Sequence, residues 1–191
     1  MVRSVTNFEI TVDVREEAGC QWALEGISYN KDQPISNMPR VADKLKDLDG
    51  GHNKFLEHIY IWVVVKAPRY WWQEADTYRH ASKNSESTMH TIFNNALTVH
   101  NFECGNIHPE ALLHCNRLLE TGNHSLLKRY LPEGFLQKRM WVFNYKTLRG
   151  MIINRKNHRL PHWPYFITEM YKQLENPELL PFPDYCKTRD E

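Results

Sequence analysis

The chain has 191 residues, of which 24 are basic and 23 acidic, so its formal net charge is +1 at pH 7. A charge this close to zero gives no overall attraction to nucleic acid or to an anionic membrane. No apolar run approaches the roughly 20 residues that a membrane helix requires. The four cysteines are dispersed without a C-x-x-C pair, which is typical of free thiols in a reducing compartment. We therefore expect a cytoplasmic protein with a single domain over residues 1–191.

The first third of the chain predicts strands and helices in alternation. Residues 8–14 alternate apolar and polar side chains, as a half-buried strand does. Residues 16–29 have no strict period and fit either a helix or an irregular turn. Pro39 suits the first turn of a helix that the glycine pair at 50–51 would end. The apolar run at 59–65 predicts a strand buried on both faces, which we take as the centre of the core.

The remainder of the chain predicts mostly helices. Pro68 can open a helix that runs through the aromatic residues to Tyr78, and a polar loop at 82–87 follows it. Helical spacing or a proline start predicts four more helical stretches, at residues 109–122, 126–131, 141–155 and 166–174. Three prolines predict an extended C-terminal tail over about 176–191. Together the elements predict an α+β fold, with a mixed sheet and helices packed on it.

Two kinds of site receive little support from the sequence. Neither G-x-G-x-x-G nor G-x-x-x-x-G-K-[ST] occurs, so any nucleotide is held in another way. A zinc site is an alternative use for His100, Cys104, His108 and Cys115. Their spacing departs from the short knuckles of structural zinc sites. We therefore expect no metal, and treat these four as ordinary loop and helix residues.

Residues 51–58, G-H-N-K-F-L-E-H, resemble the pattern that precedes the central strand of the flavin-dependent thymidylate synthases. That family continues with an R-H-R triplet, seven residues and a serine. Arg79 falls on the last arginine of the triplet and Ser87 on the serine. Further positions that match in order are Ala81, Ser82, Asn84, Leu131, Pro132, Asn144, Leu148, Arg155, His158 and Trp163. The resemblance covers about residues 51–163.

The resemblance implies an enzyme that binds FAD, takes hydride from NADPH, and uses methylenetetrahydrofolate to methylate dUMP at C5. It implies a homotetramer with active sites between subunits, at whose interfaces Trp71 and Trp72 would be buried. The implied flavin contacts are His52, Lys54, Glu57, Arg79, Asn144 and His158. The implied nucleotide contacts are Glu74, Ser85, Ser87, Lys128 and Arg155.

Three of these residues carry the implied catalysis: Arg155, Arg79 and Ser87. As C5 of a uracil becomes nucleophilic, negative charge develops on the ring carbonyls, so a fixed cation such as Arg155 stabilises the transition state. A cation beside the flavin pyrimidine, Arg79 by the resemblance, favours the reduced anion.

The chain departs from the family pattern near the expected nucleotide phosphate. Thr77 and Tyr78 replace the first arginine and the histidine of the triplet, and Met89 replaces an arginine associated with the phosphate. Glu74 replaces a glutamine of the family pattern, and Ser85 replaces a glutamate. Two cations are therefore missing, and three residues are candidates to replace them: His80, Lys83 and His90. Otherwise the substrate is another pyrimidine nucleotide such as dCMP, or the product carries a hydroxymethyl group.

A different class of function is a nucleotide-binding or nucleic-acid-binding module without catalysis. In that alternative, basic residues within 128–159 contact phosphates and aromatic side chains stack on bases. The near-zero net charge makes nucleic acid the less favoured partner.

Overall fold

A computed structural model describes residues 8–88 and 90–181 of the chain. The strands are β1 (Thr11–Ala18), β2 (Tyr60–Pro68), β3 (Ala81–Ser85) and β4 (Leu136–Asn144). The helices are α1 (Cys20–Lys31), α2 (Met38–Leu45), α3 (Arg69–Ala75), α4 (Pro109–Glu120), α5 (His124–Tyr130), α6 (Tyr145–Arg155) and α7 (His162–Gln173). Met89, Cys186 and residues 182–191 of the predicted tail lie outside the described residues. No helix in the described part of the chain is long and apolar enough to cross a membrane.

The contacts of the chain divide it into two compact units. Within the described residues, unit 1 takes 8–11, Val65–Thr77, 84–88 and 90–140, and unit 2 takes Val12–Val64, Tyr78–Lys83 and 141–181. Several strands contribute residues to both units, so each unit is built from separate stretches of sequence. The single-domain organisation of residues 1–191 stays a prediction.

The four strands form one sheet in the order β1-β2-β4-β3. In unit 2, the Tyr145 N–H that follows β4 donates to the Ile59 carbonyl that precedes β2, at 2.9 Å. In unit 1, the Arg69 N–H that follows β2 donates to the Phe135 carbonyl that precedes β4, at 3.1 Å. The sheet is antiparallel, where we predicted a mixed one. The α+β class is confirmed.

Burial alternates along β2, which corrects the expectation of a strand covered on both faces. Ile61, Val63 and Val65 are fully buried, whereas Trp62 and Val64 between them are only half-buried. A period of two is what a strand produces when one face meets the core and the other is partly open. Because residues 59–65 are all apolar, the sequence alone does not show this difference in burial between the two faces.

Two stretches that we expected to be a loop and a helix are strands. The polar stretch 82–87 lies largely in β3, at the edge of the sheet, where a strand needs few apolar residues. Residues 141–144 belong to β4. Along them, the buried Trp141 and Phe143 alternate with half-buried neighbours, as expected for a strand. The helix predicted over 141–155 therefore begins only at Tyr145.

The core of unit 1 contains the two tryptophans that we expected to be exposed at an interface. Trp71 and Trp72 are fully buried, with their rings 5.0 Å apart at the centroids. The Trp72 indole N–H donates to the Gln137 carbonyl at 2.9 Å, and the Arg139 guanidinium lies over the Trp72 ring. These tryptophans thus pack within one chain and are not available to a second subunit.

The core of unit 2 is aromatic and includes part of the C-terminal region. Trp141 stacks on Phe166 with ring centroids 5.8 Å apart, and Trp163 meets the edge of Phe166 at 6.0 Å. Beyond α7, a 3-10 turn at Pro177–Leu179 places Leu179 and Leu180 in buried positions. The described part of the tail is therefore folded, where we expected an extended segment, because its leucines are withdrawn from water.

Candidate functional site

Arg155, the last residue of α6, lies in a cluster of ring-bearing side chains in unit 2. Its Nε donates to the Tyr78 hydroxyl at 3.2 Å, and its Nη1 lies 2.8 Å from His158 Nε2. The guanidinium lies over the Trp163 ring, 5.0 Å from the centroid. Trp163 is fully buried, whereas the other three side chains are half-buried. We name Tyr78, Arg155, His158 and Trp163 the arginine cluster.

Local structure explains the positions of two members of the arginine cluster, Tyr78 and Arg155. α3 ends at Ala75 and not at the predicted Tyr78, so Tyr78 lies in the connection to β3. The Thr147 hydroxyl of α6 donates to the His80 carbonyl at 3.2 Å, which ties that connection to the helix. Arg155 is in the last turn of α6, where a positive charge is favoured by the helix dipole.

Unit 2 also contains a cavity of about 600 Å³ beside α1. Two of the predicted flavin contacts, His52 and Lys54, line it. The other lining residues that bear on ligand binding are Trp22, Lys31, Phe55 and His58. Lysine and histidine side chains together with aromatic rings suit an anionic ligand with a flat ring system. Small-molecule sites commonly have volumes of about 300–1,000 Å³, so the size is suitable as well.

Buried polar contacts hold the segment that carries His52 and Lys54. Asn53 between them is fully buried, its amide N–H₂ donates to the Lys46 carbonyl at 3.2 Å, and its amide oxygen accepts from Lys146. The Asn144 side chain donates to the Glu57 carbonyl at 3.3 Å. Asn144 and Glu57, both predicted flavin contacts, are thus joined directly. Sequence reasoning missed Asn53, because a buried asparagine leaves no periodic signal.

In unit 1, Ser87 lines a second cavity, of about 240 Å³. The other polar residues of its lining are Lys66, Glu86, Thr88, Thr91, Asn95, His100, Asn101 and Gln137. The backbone before Ser87 is fixed because Glu86 exchanges hydrogen bonds with Lys138 and accepts one from the Gln137 side chain. The Ser87 hydroxyl accepts from the His90 N–H at 3.2 Å. This cavity offers a cation, hydroxyl groups and an amide to a polar ligand.

Most of the chain is similar to solved structures, including the following three. Two are crystal structures of thymidylate synthase X (ThyX) from Helicobacter pylori with FAD and dUMP. The first has a TM-score of 0.76 at 16% identity, covering 94% of this chain and 100% of that one. The second has a TM-score of 0.75 at 17% identity, covering 92% and 99%. The chain has the fold of the flavin-dependent thymidylate synthases.

The third structure is a UMP/dUMP methylase, PolB from Streptomyces cacaoi, bound with 5-Br dUMP. Its TM-score is 0.65 at 13% identity, and the similarity covers 86% of this chain and 89% of that one. No family model matches the sequence, and no curated protein does. The resemblance noted over residues 51–163 therefore extends, as a thymidylate synthase fold, over nearly the whole chain.

On this thymidylate synthase fold, some predicted site residues lie together and others do not. Arg155 contacts His158, and His52 shares a cavity with Lys54. Arg79 is exposed and has no hydrogen-bond or ion-pair partner within residues 8–88 and 90–181. Of the predicted nucleotide contacts, only Ser87 lines one of the two cavities. The others line neither: Arg155 on α6, Glu74 on α3, Ser85 at the end of β3, and Lys128 on α5.

The zinc alternative has no supporting geometry in the described part of this fold. No group of three or more histidine, cysteine, aspartate or glutamate side chains is arranged there to hold a metal ion. His108 caps α4 by accepting the Glu110 N–H, and Cys115 is buried in an apolar cluster. Burial also raises the pKa of the Cys115 thiol, which disfavours the thiolate that zinc requires.

Proposed function

We propose that this protein is a flavin-dependent enzyme that methylates a pyrimidine deoxynucleotide at C5, with dUMP as the substrate. Its cofactor would be FAD, with NADPH as hydride donor and methylenetetrahydrofolate as one-carbon donor. The observation that supports the proposal most is the fold, shared over 94% of the chain with a synthase solved with FAD and dUMP.

The cavity in unit 2 fits an anionic, ring-bearing cofactor such as FAD. Lys54 and His52 would bind the phosphates, and Trp22, whose side chain is 65% exposed, offers a ring face for stacking. A bound FAD would supply the electrons that reduce the transferred one-carbon unit. Glu57, Asn144 and His158 complete the proposed flavin contacts, and the exposed Arg79 is placed with them by the resemblance.

Arg155 is the proposed base-polarising cation. Negative charge develops on the pyrimidine carbonyls as C5 attacks, and a guanidinium donates hydrogen bonds to such oxygens. Its contacts to Trp163 and Tyr78 hold it in place before the nucleotide arrives, which reduces the reorganisation needed in the transition state. The nucleotide would also contact Ser87, Glu74, Ser85 and Lys128.

The first test of this proposal is flavin binding followed by turnover. Purified chain is incubated with FAD, dialysed, and examined for the visible absorption of bound flavin. Loaded protein then receives NADPH, methylenetetrahydrofolate and dUMP, and the nucleotide is analysed by mass spectrometry. We expect yellow protein and the mass gain of a methyl group. If the protein binds flavin but leaves both dUMP and dCMP unchanged, the proposed methylation is contradicted.

A variant pair tests the role of Arg155. Arg155→Ala should abolish turnover while the flavin absorption is retained, because the side chain is proposed to act on the nucleotide. Arg117→Ala on α4 is the control, since Arg117 is an exposed arginine in unit 1, and it should leave both properties unchanged. Full turnover by Arg155→Ala would show that the base-polarising cation lies elsewhere.

A second candidate is modification of a different pyrimidine nucleotide, or formation of a hydroxymethyl product. PolB, which shares the fold, is named a UMP/dUMP methylase, so the fold accommodates more than one nucleotide. Glu74 and Ser85 depart from the family pattern, and a glutamate can accept from the exocyclic amine of a cytosine. Parallel incubations with dUMP, dCMP and UMP distinguish these substrates, and the mass of the product distinguishes methyl from hydroxymethyl.

The homotetramer and the non-catalytic alternative have tests of their own. Light scattering coupled to size exclusion should give four times the mass of the 22.8 kDa chain; the mass of one chain would contradict the assembly. A colourless protein that takes up no FAD, yet binds single-stranded oligonucleotides with steep salt dependence, would favour the binding-module alternative.

A further inference from the structure

Tyr78 stands where the family pattern has the histidine of its triplet, and it contacts the proposed catalytic arginine. The helix before it closes early, since the Thr77 hydroxyl donates to the Glu74 carbonyl at 2.7 Å. The chain then leaves unit 1, and Tyr78 is the first residue of the next stretch of unit 2. Tyr78, which departs from the family pattern, thus contacts Arg155 directly.

The hydrogen bond between them has only one possible direction. A guanidinium has donors and no acceptor, so the Tyr78 hydroxyl accepts from Arg155 Nε. The guanidinium carbon lies 5.0 Å from the centroid of the Trp163 ring, and the Tyr78 ring itself meets the Trp163 edge, with centroids 5.9 Å apart. Tyr78 and Trp163 therefore both restrain the guanidinium.

The contact between Arg155 and His158 conflicts with a second contact of the same imidazole. His158 Nδ1 accepts from the Leu160 N–H at 3.2 Å, while Nε2 faces Arg155 Nη1 at 2.8 Å. Both ring nitrogens thus face donors, but a neutral imidazole has one acceptor nitrogen and a protonated one has none. The His158 contact therefore cannot be a good hydrogen bond at the same time as the Leu160 contact. The contact of the guanidinium to Tyr78 has no such conflict.

We infer that Tyr78 is the positioning residue of Arg155, which keeps Nε in place while the Nη edge turns from His158 to a carbonyl oxygen of the pyrimidine. This inference rests on the proposed function. An oxygen acceptor removes the conflict at His158, because the guanidinium then donates to a true acceptor. Tyr78 would thus position Arg155 from the place in the triplet where this chain has no histidine.

A double-mutant cycle tests this inference. The affinity of FAD-loaded protein for dUMP is measured by calorimetry in four forms: wild type, Tyr78→Phe, Arg155→Ala and the double variant. Tyr78→Phe keeps the ring on Trp163 and deletes only the acceptor. We expect it to weaken dUMP binding roughly tenfold in the wild-type background, about 1.4 kcal/mol, and less than about twofold when Arg155 is alanine.

Two further measurements separate positioning from general damage. Tyr78→Phe should lower kcat more than it raises KM, because the fixed cation acts mainly in the transition state. Tyr70→Phe is the matched control: it removes a hydroxyl that donates to Glu103 at 2.7 Å in unit 1, and should leave dUMP affinity and kcat unchanged. In the ligand-free chain, the unfolding free energies of the same four forms should also be non-additive.

The outcomes distinguish this inference from the proposed function. Equal weakening of dUMP binding in both backgrounds would overturn the positioning role and leave the proposed function standing. Wild-type protein that binds neither FAD nor dUMP would overturn the proposed function, and the inference with it. A loss of affinity in Tyr70→Phe as large as in Tyr78→Phe would also count against positioning.

Discussion

At Gly19 the backbone has φ near +100°, and a Cβ there would overlap the His58 carbonyl oxygen. The residue joins β1 to α1, and His58 ends the 3-10 turn that carries Lys54. Only glycine allows both the left-handed conformation and this close approach. One small residue therefore sets the position of α1 against one wall of the proposed flavin cavity.

Gly19→Ala should destabilise the chain by about 2–4 kcal/mol, because strain and overlap with backbone add together. Gly150→Ala is the control, since Gly150 lies inside α6 and an added Cβ would meet nothing within 4 Å. It should stabilise the chain by about 0.5–1 kcal/mol. Urea unfolding monitored by circular dichroism gives both values. Equal effects of the two substitutions would contradict the close approach at His58.

Tyr145 predicts how stability depends on alkaline pH. Burial, and then the Glu17 carboxylate, raise the pKa of the Tyr145 hydroxyl above its ordinary value. Because the folded state disfavours the phenolate, stability is intact below the unfolded pKa of about 10 and falls as pH rises above it. Tyr145→Phe should therefore lose less stability between about pH 8 and about pH 11. Urea midpoints at the two pH values provide the measurement, and identical losses in both proteins would contradict it.

At the scale of elements, α6 connects the cap residue Asn144 to Arg155. The Asn144 side chain accepts from the Thr147 N–H at 2.9 Å and donates to the Glu57 carbonyl. The same residue thus begins the helix and holds the segment before β2. Because each residue adds a constant rise along a helix, a start fixed by Asn144 also fixes the position of Arg155 along α6.

Asn144→Ala should cost about 1 kcal/mol of stability and also weaken FAD binding, because it removes a cap and releases the Glu57 backbone. Asn123→Ala is the matched control. Asn123 caps α5 in unit 1, accepting from the Leu126 N–H at 3.1 Å. It should cost a similar amount of stability with no change in FAD affinity. Chemical unfolding and flavin fluorescence titration measure the two effects; equal FAD affinities for both variants would show that Asn144 is only a cap.

Elements with a strong local signal could be predicted from the sequence. A proline start and apolar spacing predicted α4 correctly, and apolar spacing predicted α7 from residue 166, four residues after its start at His162. The stretches 82–87 and 141–144 were misread because pairing with neighbouring strands decided their conformation. The family resemblance pointed to His52 and Lys54, which share a cavity, but not to the buried Asn53 between them. The role of Tyr78 could not, since its contact to Arg155 joins positions 77 residues apart.

At the scale of the whole molecule, the two units carry different parts of the proposed chemistry. Unit 2 holds the arginine cluster and the cavity beside α1, whereas unit 1 holds Ser87 and the cavity that it lines. The fold is shared over nearly the entire chain at 16% identity, so the backbone is similar while most side chains differ. Ligand binding should therefore be assigned unit by unit, with a measurement that reports on backbone segments.

Hydrogen exchange with and without FAD makes that assignment. Binding to the cavity beside α1 should slow amide exchange in peptides from α1 and from the 3-10 turn at Lys54–His58, because a ligand bound only by the folded state suppresses local opening. At about 100 times the Kd the protection corresponds to about 2.7 kcal/mol. Peptides from α4 in unit 1 serve as the internal control and should exchange at an unchanged rate. Protection of α4 without protection of α1 would show that FAD does not bind beside Lys54, and the cofactor site would then have to be sought in unit 1.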